Sequence, residues 1–174
     1  LWGNPIEVFL PYIAIGHICW ALVTGPMLEG IGALSATSYY FVNQRVSLST
    51  IFYSVFLRNI LIFMHNFLIV VVIWLIFGSP NWYAAWFFIP GLLLVAVTVT
   101  SVSMVIGLVS VRFRDLGQII ASLVQIAYFV SPVMWNASML PERFHWVVDF
   151  NPIAQMLFLL REPLIGIVPS FHTS

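Results

Sequence analysis

Glu142, His145 and Asp149 form the best cluster of acid and base side chains in this 174-residue sequence. Steps of three and four put them on one helix face, the placement that proton transfer at an aqueous boundary would need. An amphipathic helix lying at a water boundary spaces its polar groups in the same way, so catalysis does not follow from the pattern. Glu29 comes one turn after Gly25-Pro26; an acid at membrane depth is a functional candidate, and near a helix end it is equally a wetted or paired group. Arg58 and Asn59 stand near enough to a span's end to snorkel. His65-Asn66 reads as an interhelical hydrogen-bonding pair, because no second His or carboxylate stands at metal spacing. With no lysine, the sequence holds no G-x-x-x-x-G-K-[ST] phosphate loop, so ATP, if used, is expected on a partner and no cofactor on this chain.

The elements that would position these residues are membrane helices. Hydrophobic residues make up 61% of the chain and charged ones 7%, with a mean hydropathy of +1.04. Such a composition, with uncharged runs far beyond 18 residues, excludes a soluble globule and predicts an all-α integral membrane protein. Formal net charge is zero, every cation is an arginine and no basic block exists, which argues against nucleic acid as a partner. Cys19 is the single cysteine, so neither an internal disulfide nor a cysteine metal site is expected.

Residues 59–111 carry no Asp, Glu, Lys or Arg. As one helix they would reach about 80 Å against about 30 Å of hydrocarbon, so they must double back. Gly78-Ser79-Pro80-Asn81 is the turn cluster, giving spans near 53–77 and 85–110. A first span covers 8–28 and continues past Glu29 to about 40, and a fourth covers 116–135. The loops at 42–50 and 111–116 hold Arg45, Arg112 and Arg114 against Asp115, whereas the 79–84 loop has no cation and the 137–174 tail is mixed. Arginine bias therefore puts the first two loops on the cytoplasmic side, and Trp82, Tyr83 and Trp86 fit an outer aromatic belt.

Polar groups recur along the fourth span at Gln118, Ser122 and Gln125, followed by Tyr128 or Phe129 and a stop at Ser131-Pro132. That side should avoid lipid, either by bonding to a neighbouring helix or as a conduit wall. Thr100, Ser103, Gly107 and Ser110 on the third span, and Ala21, Gly25, Gly32 and Ala36 on the first, read as close-packing seams. Beyond the stop, two pieces too short to cross a bilayer begin at Pro141-Glu142 and at Asn151-Pro152, an N-cap followed by proline at the first helical position. Phe144, Val147 and Val148 make the apolar face of the first; Ile153, Met156, Leu157 and Leu160 form the second's stripe, closed by Arg161-Glu162-Pro163. Backbone that leaves a long helix at membrane depth must be buried in protein or line a watery cavity, so a re-entrant gate on the outer side is expected.

VRFRDL at 111–116, SPVMW at 131–135, FNPI at 150–153 and LLREPLIG at 159–166 resemble, in order and spacing, the permease subunits of ABC exporters for O-antigen, teichoic acid and capsular polysaccharides. GHICWALVTGPMLEGIGAL and RNILIFMHN upstream look like the same family's second and third helices, so the resemblance covers nearly the whole chain. It implies a type-2 ABC exporter permease fold, with residues 1–174 as one transmembrane domain, a fragment holding helices two to five of six. It further implies export of an undecaprenyl-diphosphate-linked glycan across the bacterial inner membrane by a permease homodimer carrying ABC ATPase subunits that bind the ATP. A coupling segment maps to 41–50 with Arg45, beside a second contact at Arg112, Arg114 and Asp115. Periplasmic gate helices map to 137–166, with Ser131, Pro132, Asn151, Pro152, Arg161 and Glu162 as gate residues. Trp20, Tyr128 and Phe129 are the conduit aromatics, alongside Gln118, Ser122 and Gln125, since ring faces suit a moving sugar polymer. A drug or small-lipid exporter shares the topology, and a membrane enzyme on a lipid-linked sugar remains the reading that Glu142, His145 and Asp149 would serve.

Overall fold

The computed structural model of the chain describes residues 6–36, 47–78, 81–113, 115–136 and 140–167, and these are helical with no strand. Helix α1 spans Ile6–Ala36, α2 Leu48–Phe77, the short α3 Trp82–Ala85, α4 Phe88–Arg112 and α5 Leu116–Val130. A 3-10 turn at Glu142–Phe144 leads into α6, His145–Asp149, and α7 covers Pro152–Leu164. Three segments are long and apolar enough to cross a membrane: Phe9–Ala36, Leu48–Phe77 and Trp82–Arg112. The expected fourth span is shorter than 116–135, because the helix ends at Val130 and Ser131 turns to extended backbone (φ −80°, ψ 144°) ahead of Pro132. Its 15 residues rise about 22 Å, less than the hydrocarbon thickness.

α1 is the axis of the bundle. It packs along α2 and α4, and at one end both α1 and α4 receive α7. Ile15, Cys19 and Val23 of α1, Val70 of α2, Val95 and Val99 of α4, and Leu157 and Leu160 of α7 are all buried in this core. Small residues set the helix spacing. A Cβ on Gly30 would come within 2.4 Å of Ser103 Oγ and 2.8 Å of the Ser103 carbonyl, so α1 and α4 meet backbone to backbone there. The Ser103 hydroxyl donates to the Pro26 carbonyl at 2.7 Å, which adds a polar tie across the same seam.

The α4 stripe behaves as its spacing implies, with Ser103, Gly107 and Ser110 buried and Thr100 half-buried. The α1 stripe does so only at Gly25. Ala21, Gly32 and Ala36 are exposed, a Cβ on Gly32 would meet open space, and the other close contact is made by Gly30, outside the stripe. Glu29 is a paired group: it accepts from the Arg58 guanidinium and from Asn59 Nδ2 at 2.9 Å, tying α1 to α2. The expected His65-Asn66 bridge is not made among the described residues: His65 is exposed, Asn66 half-buried, and neither side chain hydrogen-bonds to another helix.

Candidate transport path and gate

Proline at 132 organises the first part of the site. Ser131 is driven out of helical backbone by the proline that follows it, and its own N–H closes α5 on the Ala127 carbonyl at 2.8 Å. The Ser131 hydroxyl and the Pro132 carbonyl are left inside the protein without helix partners, and Ser131, Pro132 and Val133 are buried. Both unpartnered groups are met by α7. Asn151 Nδ2 donates to Ser131 Oγ at 2.9 Å, while Asn151 Oδ1 accepts from the N–H groups of Ile153 and Ala154 and so caps the helix. Arg161 Nη1 donates to the Pro132 carbonyl at 2.6 Å.

Arg161 is 2% exposed. Its guanidinium lies 4.0 Å from the Tyr12 ring centre and 5.4 Å from that of Phe158, so ring faces substitute for part of the water a cation would otherwise need. Tyr12 in turn donates its hydroxyl to the Trp135 carbonyl at 2.9 Å. A Cβ on Gly16 would lie 3.0 Å from the Val133 carbonyl and 3.5 Å from Arg161 Cδ and Nη1. The first turns of α1, the break after α5 and the last turn of α7 thus close on one cation.

Arg161-Glu162-Pro163 forms the last turn of α7, which ends one residue later at Leu164, and Gly166 at φ 84° makes the left-handed C-terminal residue. Gly166 N–H donates to the Pro163 carbonyl at 3.2 Å and Ile167 N–H to that of Glu162 at 2.9 Å, the paired bonds of a Schellman stop. Pro152 is exposed at the first position of α7, and Glu162 is half-buried.

α5 carries the candidate conduit residues. Gln118, Ser122, Gln125 and Phe129 are all exposed and repeat at four, three and four residues, which places them on one face. Phe129 is 69% exposed. Tyr128 is half-buried against Trp20, ring centres 5.3 Å apart and edge to face, and its hydroxyl lies 3.4 Å from His17 Nδ1. Trp20 is 7% exposed and backs Tyr128 from inside the bundle, so it stands apart from the exposed stripe.

The remaining sequence candidates are scattered. Arg112 and Asp115 are exposed at the α4–α5 connection, at the end of the bundle away from α7; Arg45 and Arg114 lie outside the described residues, as does most of the 41–50 segment, whose last residues 48–50 are the first turn of α2. In the 142–149 piece the expected apolar face is reduced to Val148, the one buried residue. Glu142, His145 and Asp149 are exposed, with His145 Nε2 3.0 Å from the Leu140 carbonyl, and no group of metal-ligating side chains occurs among the described residues.

Sequence reasoning missed Tyr12, Phe158, His17 and Trp74, whose indole donates to the Leu164 carbonyl at 3.1 Å. No local pattern in the sequence ties any of them to the break after α5.

A family model described as ABC-2 type transporter matches residues 12–165. The chain is similar to the O-antigen export system permease protein RfbA of Myxococcus xanthus, 22% identical over 163 residues, which is 92% of this chain and 58% of that protein. A protein of the same name from Klebsiella pneumoniae is 28% identical over 61 residues, 35% of this chain and 24% of the relative. The match thus covers 58% of the Myxococcus relative and 24% of the Klebsiella one, less than two thirds of either.

Proposed function

The chain belongs to the ABC-2 type transporter family, and from that premise we propose that it is the membrane permease of a polysaccharide exporter in a bacterial inner membrane. It is a multi-pass membrane protein of a transport family. The cargo in this reading is a lipid-linked, O-antigen-like glycan on an undecaprenyl-diphosphate-type carrier, in keeping with the relatives named O-antigen export permeases. The observation that carries the reading is α7: a 13-residue helix, about 20 Å long, lodged in one end of the bundle and bonded to the break after α5. Irregular backbone at membrane depth is tolerated where protein buries it or water lines it, and this arrangement supplies both a broken helix and an exposed polar stripe beside it.

A second copy of the permease would complete the conduit by facing the Gln118, Ser122, Gln125 and Phe129 stripe, with Tyr128 at its edge. Trp20 contributes by holding Tyr128. Power comes from a separate ABC ATPase that binds the ATP, contacted at the opposite end through the 41–50 segment with Arg45 and through Arg112, Arg114 and Asp115. Ser131, Pro132, Asn151, Pro152, Arg161 and Glu162 serve the outer gate within 137–166. Co-expression with the ABC ATPase of a polysaccharide export system, in a strain that makes but cannot export a lipid-linked glycan, should restore surface glycan. Drug resistance without surface glycan from the same pair would replace this reading with small-molecule export.

A further inference from the structure

The two short outer helices are held in very different ways. α7 is fixed at both ends. Asn151 bonds Ser131 at its start, and in its last turn Arg161 bonds Pro132 and sits on Tyr12 while Trp74 bonds the Leu164 carbonyl. Ala154, Leu157, Leu160 and Leu164 are buried between these points. Moving α7 outward would strip the Arg161 cation of its carbonyl and its rings, and unpairing a buried charge is among the costliest single changes in a protein.

The piece before it has no such anchorage. From Glu142 to Phe150 only Val148 is buried, and Phe150 is 83% exposed. Its sizeable packing is on α7, through Val148 and two long bonds from Gln155 Nε2 to the carbonyls of Val148 and Asp149, each 3.3 Å. Phe150 is still helical (φ −86°, ψ −2°) and Asn151 is extended (φ −84°, ψ 106°), so rotation at this junction gives up one backbone bond, Asn151 N–H to the Val148 carbonyl at 3.2 Å, and leaves the α7 cap intact.

We infer that residues 142–150 are the moving flap of the outer gate, hinged at Phe150-Asn151, while α7 stays clamped by Arg161 and Asn151 throughout the cycle. The mobility stands on packing alone; the role as a gate rests on the export reading. Hydrogen exchange of the protein in lipid nanodiscs separates the two. Amides of 145–150 should exchange at least a hundredfold faster than those of 154–164, and comparable rates would overturn the inference whatever the cargo.

Two disulfide tethers in a Cys19→Ser background then assign the role. Val148→Cys/Gln155→Cys pins the flap to α7 and should lower surface glycan at least tenfold, with recovery on reduction. Gly91→Cys/Leu159→Cys pins α7 to α4, where a Cβ on Gly91 would lie 3.0 Å from both Leu159 Cγ and the Leu159 carbonyl; measured against the same protein with the disulfide reduced, which carries the same added bulk, the tether should leave export within twofold. A block by the α4–α7 tether, or none by the flap tether, would overturn the division of labour. Fast flap exchange with no glycan exported even by the untethered protein would instead remove the export reading and leave the mobile flap standing.

Discussion

A guanidinium enclosed by Tyr12, Phe158 and the Pro132 carbonyl stays in place because of its shape as well as its charge. Arginine's flat fork can donate in plane and stack on both faces, which a lysine ammonium cannot do. Arg161→Leu removes the charge together with the donor, so its cost is the weakened Pro132 carbonyl, about 1–2 kcal/mol. Arg161→Lys keeps a buried charge and loses its stacking, and should be the worse of the two despite being the conservative change. Denaturant unfolding in detergent checks the order; a milder lysine variant would mean that the cation is solvated within the fold. On the conduit face the two neighbouring aromatics should separate. Phe129→Leu, at an exposed position, should slow glycan export without touching stability, whereas Tyr128→Leu should also destabilise by about 1 kcal/mol through lost ring contacts with Trp20. Parallel export and unfolding measurements on the two variants test this. Asn151 was legible from its place before Pro152, since a cap is a local device. The Arg161 partners were not, because Pro132 is 29 positions away and Tyr12 far more distant, and no short pattern links them.

At the scale of elements, the long uncharged run from 59 to 111 had to fold back on itself by length alone, and it does so between the close of α2 at Phe77 and the start of α3 at Trp82. Seams were harder to read. On α4 the stripe of small residues and the buried face coincide, but α1 carries small residues on more than one side and only neighbouring helices choose between them. Gly25 and Gly30 are chosen by Asn59 and Ser103, which stand against them; Gly32 is left outside. The difference gives a paired prediction on one helix. Gly30→Ala forces a methyl against the Ser103 backbone and should destabilise by about 1–3 kcal/mol, while Gly32→Ala, with open space around it, should be neutral or gain a few tenths from helix propensity. Unfolding of the two variants side by side checks the α1–α4 seam. Equal effects would show that the helices do not approach there.

Over the whole molecule, arginine bias and packing bear on the same question from different directions. The bias places Arg45, Arg112 and Arg114 toward the cytoplasm. The bundle independently gathers the starts of α2 and α5 and the close of α4 at one end, and the close of α2, the start of α3 and the flap–α7 pair at the other. Trp82, Tyr83 and Trp86 are all strongly exposed at that second end, where amphipathic rings favour the lipid boundary. Single cysteines at Asn81, Phe113 and His145, each exposed, sample the two ends in a Cys19→Ser background; Cys19 itself is buried. A membrane-impermeant thiol reagent on intact cells should label positions 81 and 145 and reach 113 only after the membrane is opened. Outside labelling at 113 would invert the molecule, putting the flap on the cytoplasmic side. The polar stripe on α5 would then have to be read as an inlet, and the flap hinged at Phe150-Asn151 as a guard on loading instead of release.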